Sequence, residues 1–197
     1  METTPWTSGK ATRSAFVLPG GLRGRLAGLL MLRTNKQDEI ADLLDIRAGE
    51  HVLEVGYGPG GLIRRLTRTP AGRVCGVDPS PDMRDMAVEQ GTDADLRLGT
   101  AENTGFADAE FDCVVSVNTV GVWPSLEAGL DELHRVTRPG GRVVIAWHGG
   151  SRPSRVTRRL TLPDDQLDRI QNEMRSRFPA VTRRELSELT VFTARRP

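Results

Sequence analysis

Residues 52–61 read VLEVGYGPGG. An apolar run ends at Val55, the chain turns through Gly56, Gly58 and Gly60, and a helical pattern opens behind them. Glycine suits such a turn because it adopts positive φ without strain and lets a ligand approach the backbone closely. The helix that follows offers unpaired N–H groups to a polar or anionic ligand. A strand, a glycine turn and a helix in this order predict a binding loop at the carboxyl edge of a parallel sheet.

Working outward, short apolar runs recur between helical segments. The strand candidates are HVLEV (51–55), RVCGV (73–77), DLRL (95–98), FDCVVSV (111–117) and GRVVIAW (141–147). Helices fit at 61–68, 80–89 and 125–137, the link 99–110 reads as loop, and Pro139-Gly140-Gly141 reads as the turn into the fifth strand. Ahead of the first strand, NKQDEIADLLDI carries Ile40, Leu43 and Leu44 on one helical face. Apolar strands alternating with helices predict a mostly parallel sheet buried on both faces, connected by right-handed crossovers. At the end, LPDDQLDRIQNEMRSRF reads as a helix entered through Pro163 and two acids, and AVTRRELSE with LTVFTARR alternates like an antiparallel pair. The expected class is α/β: a Rossmann-like doubly wound sheet, mostly parallel, with a C-terminal antiparallel strand pair.

Length and composition agree with one domain: 197 residues, 38% hydrophobic and 27% charged. No apolar run approaches the roughly 20 residues that span a bilayer, and the N-terminus lacks a secretory pattern. Cys75 and Cys113, the only cysteines, sit in strand-like runs and read as buried free thiols, which favours a cytoplasmic location. Residues 151–197 hold eleven arginines, no lysine and six acids, a net +5 against −4 for the rest. Such a segment either attracts an anionic partner or is a solvated face. Residues 1–15 are polar and predict a fraying terminus.

The glycine loop alone leaves two ligands open. Gly56, Gly58 and Gly61 match a dinucleotide fingerprint, and Asp78, at the tip of the second strand, can grip two ribose hydroxyls in either NAD or S-adenosylmethionine (SAM). Glu54, two residues before Gly56, is ill-suited to a pyrophosphate but suits an ammonium group. Tyr57 is the only tyrosine, and Lys10 and Lys36 are the only lysines, so a Tyr/Lys proton-transfer pair of the kind many nicotinamide enzymes use is missing.

VLEVGYGPGG, VCGVDPSPDM, LRLGTAENTGFADAEFDCVVSVNTVGVW and LHRVTRPGGRVVIAW, in this order and spacing, resemble the class I SAM-dependent methyltransferases, nearest their type 11 (ubiE/UbiG-like) branch. The resemblance covers roughly residues 35–147. It implies SAM as cofactor and S-adenosylhomocysteine (SAH) as product. By the resemblance, Glu54 faces the methionine ammonium, and Gly56, Tyr57, Gly58 and Gly60 line the methionine and ribose with backbone. Asp78 takes the ribose hydroxyls, with Pro79 and Met83 beside the adenine. Thr100, Ala101 and Glu102 match the segment that cradles the adenine, although Thr100 stands where an Asp is usual. Asn118, after the fourth strand, faces cofactor or substrate.

Methyl transfer from a sulfonium relies chiefly on positioning; a hydroxyl acceptor would also benefit from a base. Of three histidines, His51 opens the first strand, His134 lies in a helix and reads as a surface residue, and His148 follows the fifth strand at the ligand edge, the one position that allows catalysis. No cluster has metal-ligand spacing. The expected organisation is an N-terminal arm and lid helix over 1–34, with Phe16, Leu18, Leu22, Leu26, Leu29, Leu30 and Met31 toward an apolar acceptor, and a methyltransferase domain over 35–197; contact with a membrane surface and plain core packing are the alternatives for the lid segment. The expected partner is a small-molecule acceptor, with no nucleic acid and no integral membrane segment; monomer and homodimer both stay open. The competing readings are a nicotinamide oxidoreductase and a non-catalytic SAM- or nucleic-acid-binding module.

Overall fold

A computed structural model describes residues 4–9, 24–26, 28–29, 32, 37–155 and 157–197. Seven strands form one sheet in the order β3-β2-β1-β4-β5-β7-β6. They are β1 (His51–Val55), β2 (Arg73–Asp78), β3 (Asp95–Leu98), β4 (Phe111–Val117), β5 (Thr137–His148), β6 (Val181–Glu185) and β7 (Leu189–Arg195). β1 to β5 pair in parallel, whereas β7 runs antiparallel between β5 and β6. The expected doubly wound sheet with its closing antiparallel pair is what forms. The C-terminal hairpin turns back so that its second strand, the more apolar one, takes the inner position.

Helices α1 (Gln37–Leu44), α2 (Gly61–Leu66), α3 (Pro81–Glu89), α4 (Leu126–Val136) and α5 (Asp164–Arg175) clothe the sheet. Their starts follow local chemistry. Ser80 caps α3 by accepting the Met83 N–H at 3.3 Å, with Pro81 in the first turn. Ser125 caps α4 by accepting the Ala128 N–H at 3.1 Å. Asp164 and Asp165 sit in the first turn of α5, where the helix dipole favours acids.

Alternation along the strands sorts the core into two layers. Leu53, Val55, Val114, Val143 and Ile145 pack with Leu126, Leu130 and Leu133 of α4 and Leu167 and Ile170 of α5. Val52, Val115, Val144 and Ala146 pack with Ile40 and Leu44 of α1 and Leu62, Ile63 and Leu66 of α2. Burial on both faces explains why these strands carry so few polar residues.

Two local expectations need correction. β5 begins at Thr137, directly after α4, and not at Gly141. Between the pairs Phe111↔Thr137 and Cys113↔Arg142 the register slips, so Arg138–Gly141 bulge from a continuous strand, with Gly140 at φ 78°. The N-terminus also does not fray over residues 4–9. Trp6 donates its main-chain N–H to the Trp123 carbonyl at 3.0 Å and its indole N–H to the Val120 carbonyl at 2.7 Å. Thr7 donates to the Gly121 carbonyl at 2.7 Å, and the Gln166 amide donates back to the Thr7 carbonyl at 3.0 Å.

Gly24, Arg25, Leu26, Gly28, Leu29 and Leu32 are helical. This segment lies on α3: a Cβ at Gly28 would press on the sulfur of Met86 at 2.8 Å, and Arg25 pairs with Glu89 at 2.8 Å. Leu26 and Leu29 point outward, 63% and 55% exposed. Phe16, Leu18, Leu22, Leu30 and Met31 lie outside the described residues.

Candidate functional site

The loop after β1 is built as its glycines suggest. Gly56 (φ 79°), Gly58 (φ 53°) and Gly60 (φ 82°) are all left-handed. Gly56 donates its N–H to the Val77 carbonyl at 2.7 Å, and Gly60 donates to the Tyr57 carbonyl at 3.0 Å, closing the turn. The three glycines differ in surroundings. A Cβ at Gly56 would overlap Thr119, and one at Gly60 would press on Ala87 of α3, whereas one at Gly58 would meet nothing within 4 Å. Gly58 is therefore the point where backbone faces open space. Gly60 is required by the packing of α2 on α3.

Two acids flank this loop. Asp78, at the tip of β2 and 7% exposed, accepts the Gly58 N–H at 2.9 Å through Oδ2 and the Ser80 N–H at 2.9 Å through Oδ1. Burial nevertheless raises its carboxyl to about 6, the two N–H donors pulling only partly the other way. Glu54 on β1 is 3% exposed, and its Oε2 is buried with no partner among the described residues. Its carboxyl is raised well above the usual range, first by burial and then by the charge of Asp78, while the Ile63 N–H in the first turn of α2 draws it down. Two neighbouring buried carboxyls, one with an unsatisfied oxygen, form a site that a cation completes and a phosphate would oppose.

Asn118 follows β4 with φ 58°, its N–H donating to the Ala146 carbonyl at 2.8 Å. Its Oδ1 is likewise buried and without a partner among the described residues. Thr119 rests on Gly56, shares a 2.6 Å hydrogen bond with Ser116 and accepts the Trp123 indole N–H at 3.1 Å. Glu54, Gly58, Asp78 and Asn118 thus converge at the tips of β1, β2 and β4, where doubly wound sheets bind ligands.

The other residues singled out from sequence are placed less centrally. The Tyr57 side chain is in the core, 3% exposed, with its hydroxyl 3.4 Å from the Arg97 carbonyl, so only its backbone belongs to the loop. Pro79 is exposed, and Met83 is 1% exposed, turned into the contact between α3 and the Gly28 segment. Thr100 is exposed and exchanges backbone hydrogen bonds with Asn103, Ala101 is buried, and Glu102 accepts the Ser125 N–H at 3.3 Å, at the start of α4.

His148 ends β5, and burial lowers its imidazole to about 4, which keeps it neutral. Trp147 beside it donates to the Leu160 carbonyl at 2.8 Å and rests on Gly121. His51 lies at the opposite sheet edge, 3.3 Å from Arg138. His134, expected on the surface, is half-buried against the Phe178 ring at 5.3 Å. Cys75 and Cys113 are free and buried, which pushes their thiols up to about 11 and about 12.

Reading the sequence missed Trp6, Thr7 and Ser80. The signal for Ser80 was present, since Ser-Pro before a helical run is a capping pattern. A tryptophan isolated in a polar terminus was the only cue for the docked arm.

A family model described as a methyltransferase domain matches residues 53–145. An uncharacterized methyltransferase of Bacillus subtilis, YdaC, is 30% identical over 61% of this chain and 69% of its own length. The chain belongs to the class I SAM-dependent methyltransferases, in their type 11 branch. The demethylmenaquinone methyltransferase of Chlorobaculum parvum is 34% identical over 48% of the chain and 39% of its own length. Several curated relatives are longer, the match spanning 31–52% of their length. Among solved structures, a SAM-dependent methyltransferase of Methanococcus maripaludis superposes with a TM-score of 0.71 at 16% identity, covering 87% of this chain and 93% of that one; it shares the fold.

SAM is the cofactor of this family, and the site fits it. The partnerless Glu54 oxygen suits the methionine ammonium, the open backbone at Gly58 admits the ligand, and Asp78 keeps lone pairs for the ribose hydroxyls. Membership sets aside the nicotinamide alternative.

Proposed function

We propose that this protein transfers the methyl group of SAM to a small-molecule acceptor by in-line displacement. The observation that carries the reading is the pair of buried carboxyls, Glu54 and Asp78, on either side of the open Gly58 backbone. SAM supplies an electrophilic methyl group on a good leaving group. The chain's own part is to bind and orient: Glu54 holds the ammonium, Asp78 the ribose, and the segment Thr100–Glu102 with Pro79 and Met83 borders the adenine side. Asn118 offers an acceptor atom where β4 meets the loop.

His148 is the one histidine at this edge. Its low proton affinity makes it a poor general base, so the acceptor it serves best needs little proton transfer. Residues 1–34 act as an arm and lid, and residues 35–197 as the catalytic body; the strapped segment 4–9 and the helical residues resting on α3 support that division. No helix among the described residues is long and apolar enough to cross a membrane, and we place the protein in the cytoplasm on its two free cysteines.

Incubating the protein with SAM and a fractionated metabolite extract tests the reading. Acceptor-dependent formation of SAH is the expected result. Tight SAH binding with no turnover across all fractions would instead favour a non-catalytic SAM-binding module.

A further inference from the structure

The chain leaves β5 at His148, at the ligand edge of the sheet, and its next residues run beside the β6–β7 turn before α5 begins. The stretch Ser151–Leu160 contains Arg152, Arg155, Arg158 and Arg159 and no acid. All four arginines are exposed. None makes an ion pair or side-chain hydrogen bond with a described residue; Arg47, Arg68, Arg84 and Arg184 are also unpaired, but among the described residues only this loop gathers four such arginines within eight positions.

The backbone beneath them is held. The Ser151 and Arg152 N–H groups donate to the Leu186 and Ser187 carbonyls at 2.8 and 2.7 Å. Ser154 accepts the Thr157 N–H at 3.1 Å, Thr157 donates to Glu188 at 3.2 Å, and Trp147 pins the Leu160 carbonyl at 2.8 Å. A loop with a fastened backbone that presents free guanidinium groups suits an anion, since Arg forks match phosphate and carboxylate geometry. Its end lies toward the cofactor side: Trp147, which holds the Leu160 carbonyl, rests on Gly121, three residues beyond Asn118.

We propose that the Ser151–Leu160 loop recognises an anionic group, phosphate or carboxylate, on the acceptor, and so selects a negatively charged small molecule for methylation. This rests on the methyltransferase reading above. A nucleic acid is disfavoured because none of the described aromatic side chains is exposed to stack on bases. A membrane surface is disfavoured because Leu160 is the one large apolar side chain exposed among the loop's described residues. The patch is also local: the remainder of the chain carries a net negative charge.

The test titrates phenyl phosphate into SAH-saturated protein at low salt, with phenol as the uncharged control, and follows the amide signals of Gly149–Leu160. Phenyl phosphate should shift these signals saturably and phenol should not. Raising salt from about 50 to about 300 mM should weaken the response several-fold, because exposed charges are screened. The fourfold variant Arg152→Gln, Arg155→Gln, Arg158→Gln, Arg159→Gln should bind phenyl phosphate at least tenfold more weakly and SAH as well as the wild type does. Equal responses to both probes, or undiminished binding in the variant, would overturn the proposal. Tighter, arginine-dependent binding of an oligonucleotide or of phosphatidylglycerol vesicles would overturn it in favour of that partner. Failure of the wild type to bind SAH is a separate result, which would remove the cofactor reading on which the proposal stands.

Discussion

Asp78 and Gly58 meet across the tips of two adjacent strands, the Gly58 N–H donating to Asp78 Oδ2 at 2.9 Å. The acid proposed to take the ribose hydroxyls thus also holds the glycine loop. Asp78→Ala therefore removes a charged hydrogen-bond acceptor from the ligand and releases the loop. SAH affinity should fall by about 1.5–3 kcal/mol, roughly ten- to a hundredfold, measured by calorimetry. Unchanged affinity would mean that Asp78 is a purely structural residue.

The same carboxyl makes cofactor binding depend on pH. Its ordinary value is 3.8, and burial raises it to about 6 in the folded chain. Between these values the folded chain keeps a proton that the unfolded chain has released. Stability therefore declines as pH rises from about 4 to about 6, by up to roughly 3 kcal/mol, and stays reduced above that. Ligand groups that favour the ionised form offset this cost, so the melting-temperature increase caused by SAH should be larger at pH 7.5 than at pH 5. A larger increase at pH 5 would contradict the assignment.

Gly58 and Gly60 should respond differently to substitution. Gly58→Val introduces a side chain into open space, at a left-handed φ that costs about 1–2 kcal/mol; the chain should fold and lose SAH binding. Gly60→Ala adds a clash with Ala87 to the same strain and should lose about 2–4 kcal/mol of stability. Thermal melts and SAH titrations of both variants separate the ligand-facing glycine from the packing one.

Trp6 straps the arm to the turn that follows Asn118 and Thr119, through two hydrogen bonds and a stack beneath Arg169 at 5.0 Å. Trp6→Ala should lower stability by about 2–3 kcal/mol. In the wild type, amide exchange at Val120–Trp123 should be slower than in the variant. Equal exchange would show that the arm merely rests on the surface.

How far the sequence was readable follows from where each decision is made. β1, β3 and β4 were legible to the residue because strand burial and turn glycines are local signals. The placement of Glu54 and Asp78 beside the glycine loop was legible because each sits at a set distance from it in the chain. The bulge of Arg138–Gly141 was not, since it depends on how many residues β4 offers opposite. The docking of Trp6 was not, because its partners lie more than a hundred residues away. Gly60 and Gly58 look alike in sequence; only the approach of Ala87 distinguishes them.

The most direct measurement is calorimetric titration of SAH into the wild type and Glu54→Gln at neutral pH. If the buried, unpaired Glu54 oxygen receives an ammonium group, the wild type should bind saturably and the variant at least tenfold more weakly, with a melting temperature without ligand that is equal or higher. Equal affinity in the two proteins, or no heat of binding in the wild type, would contradict the cationic site at the centre of this account.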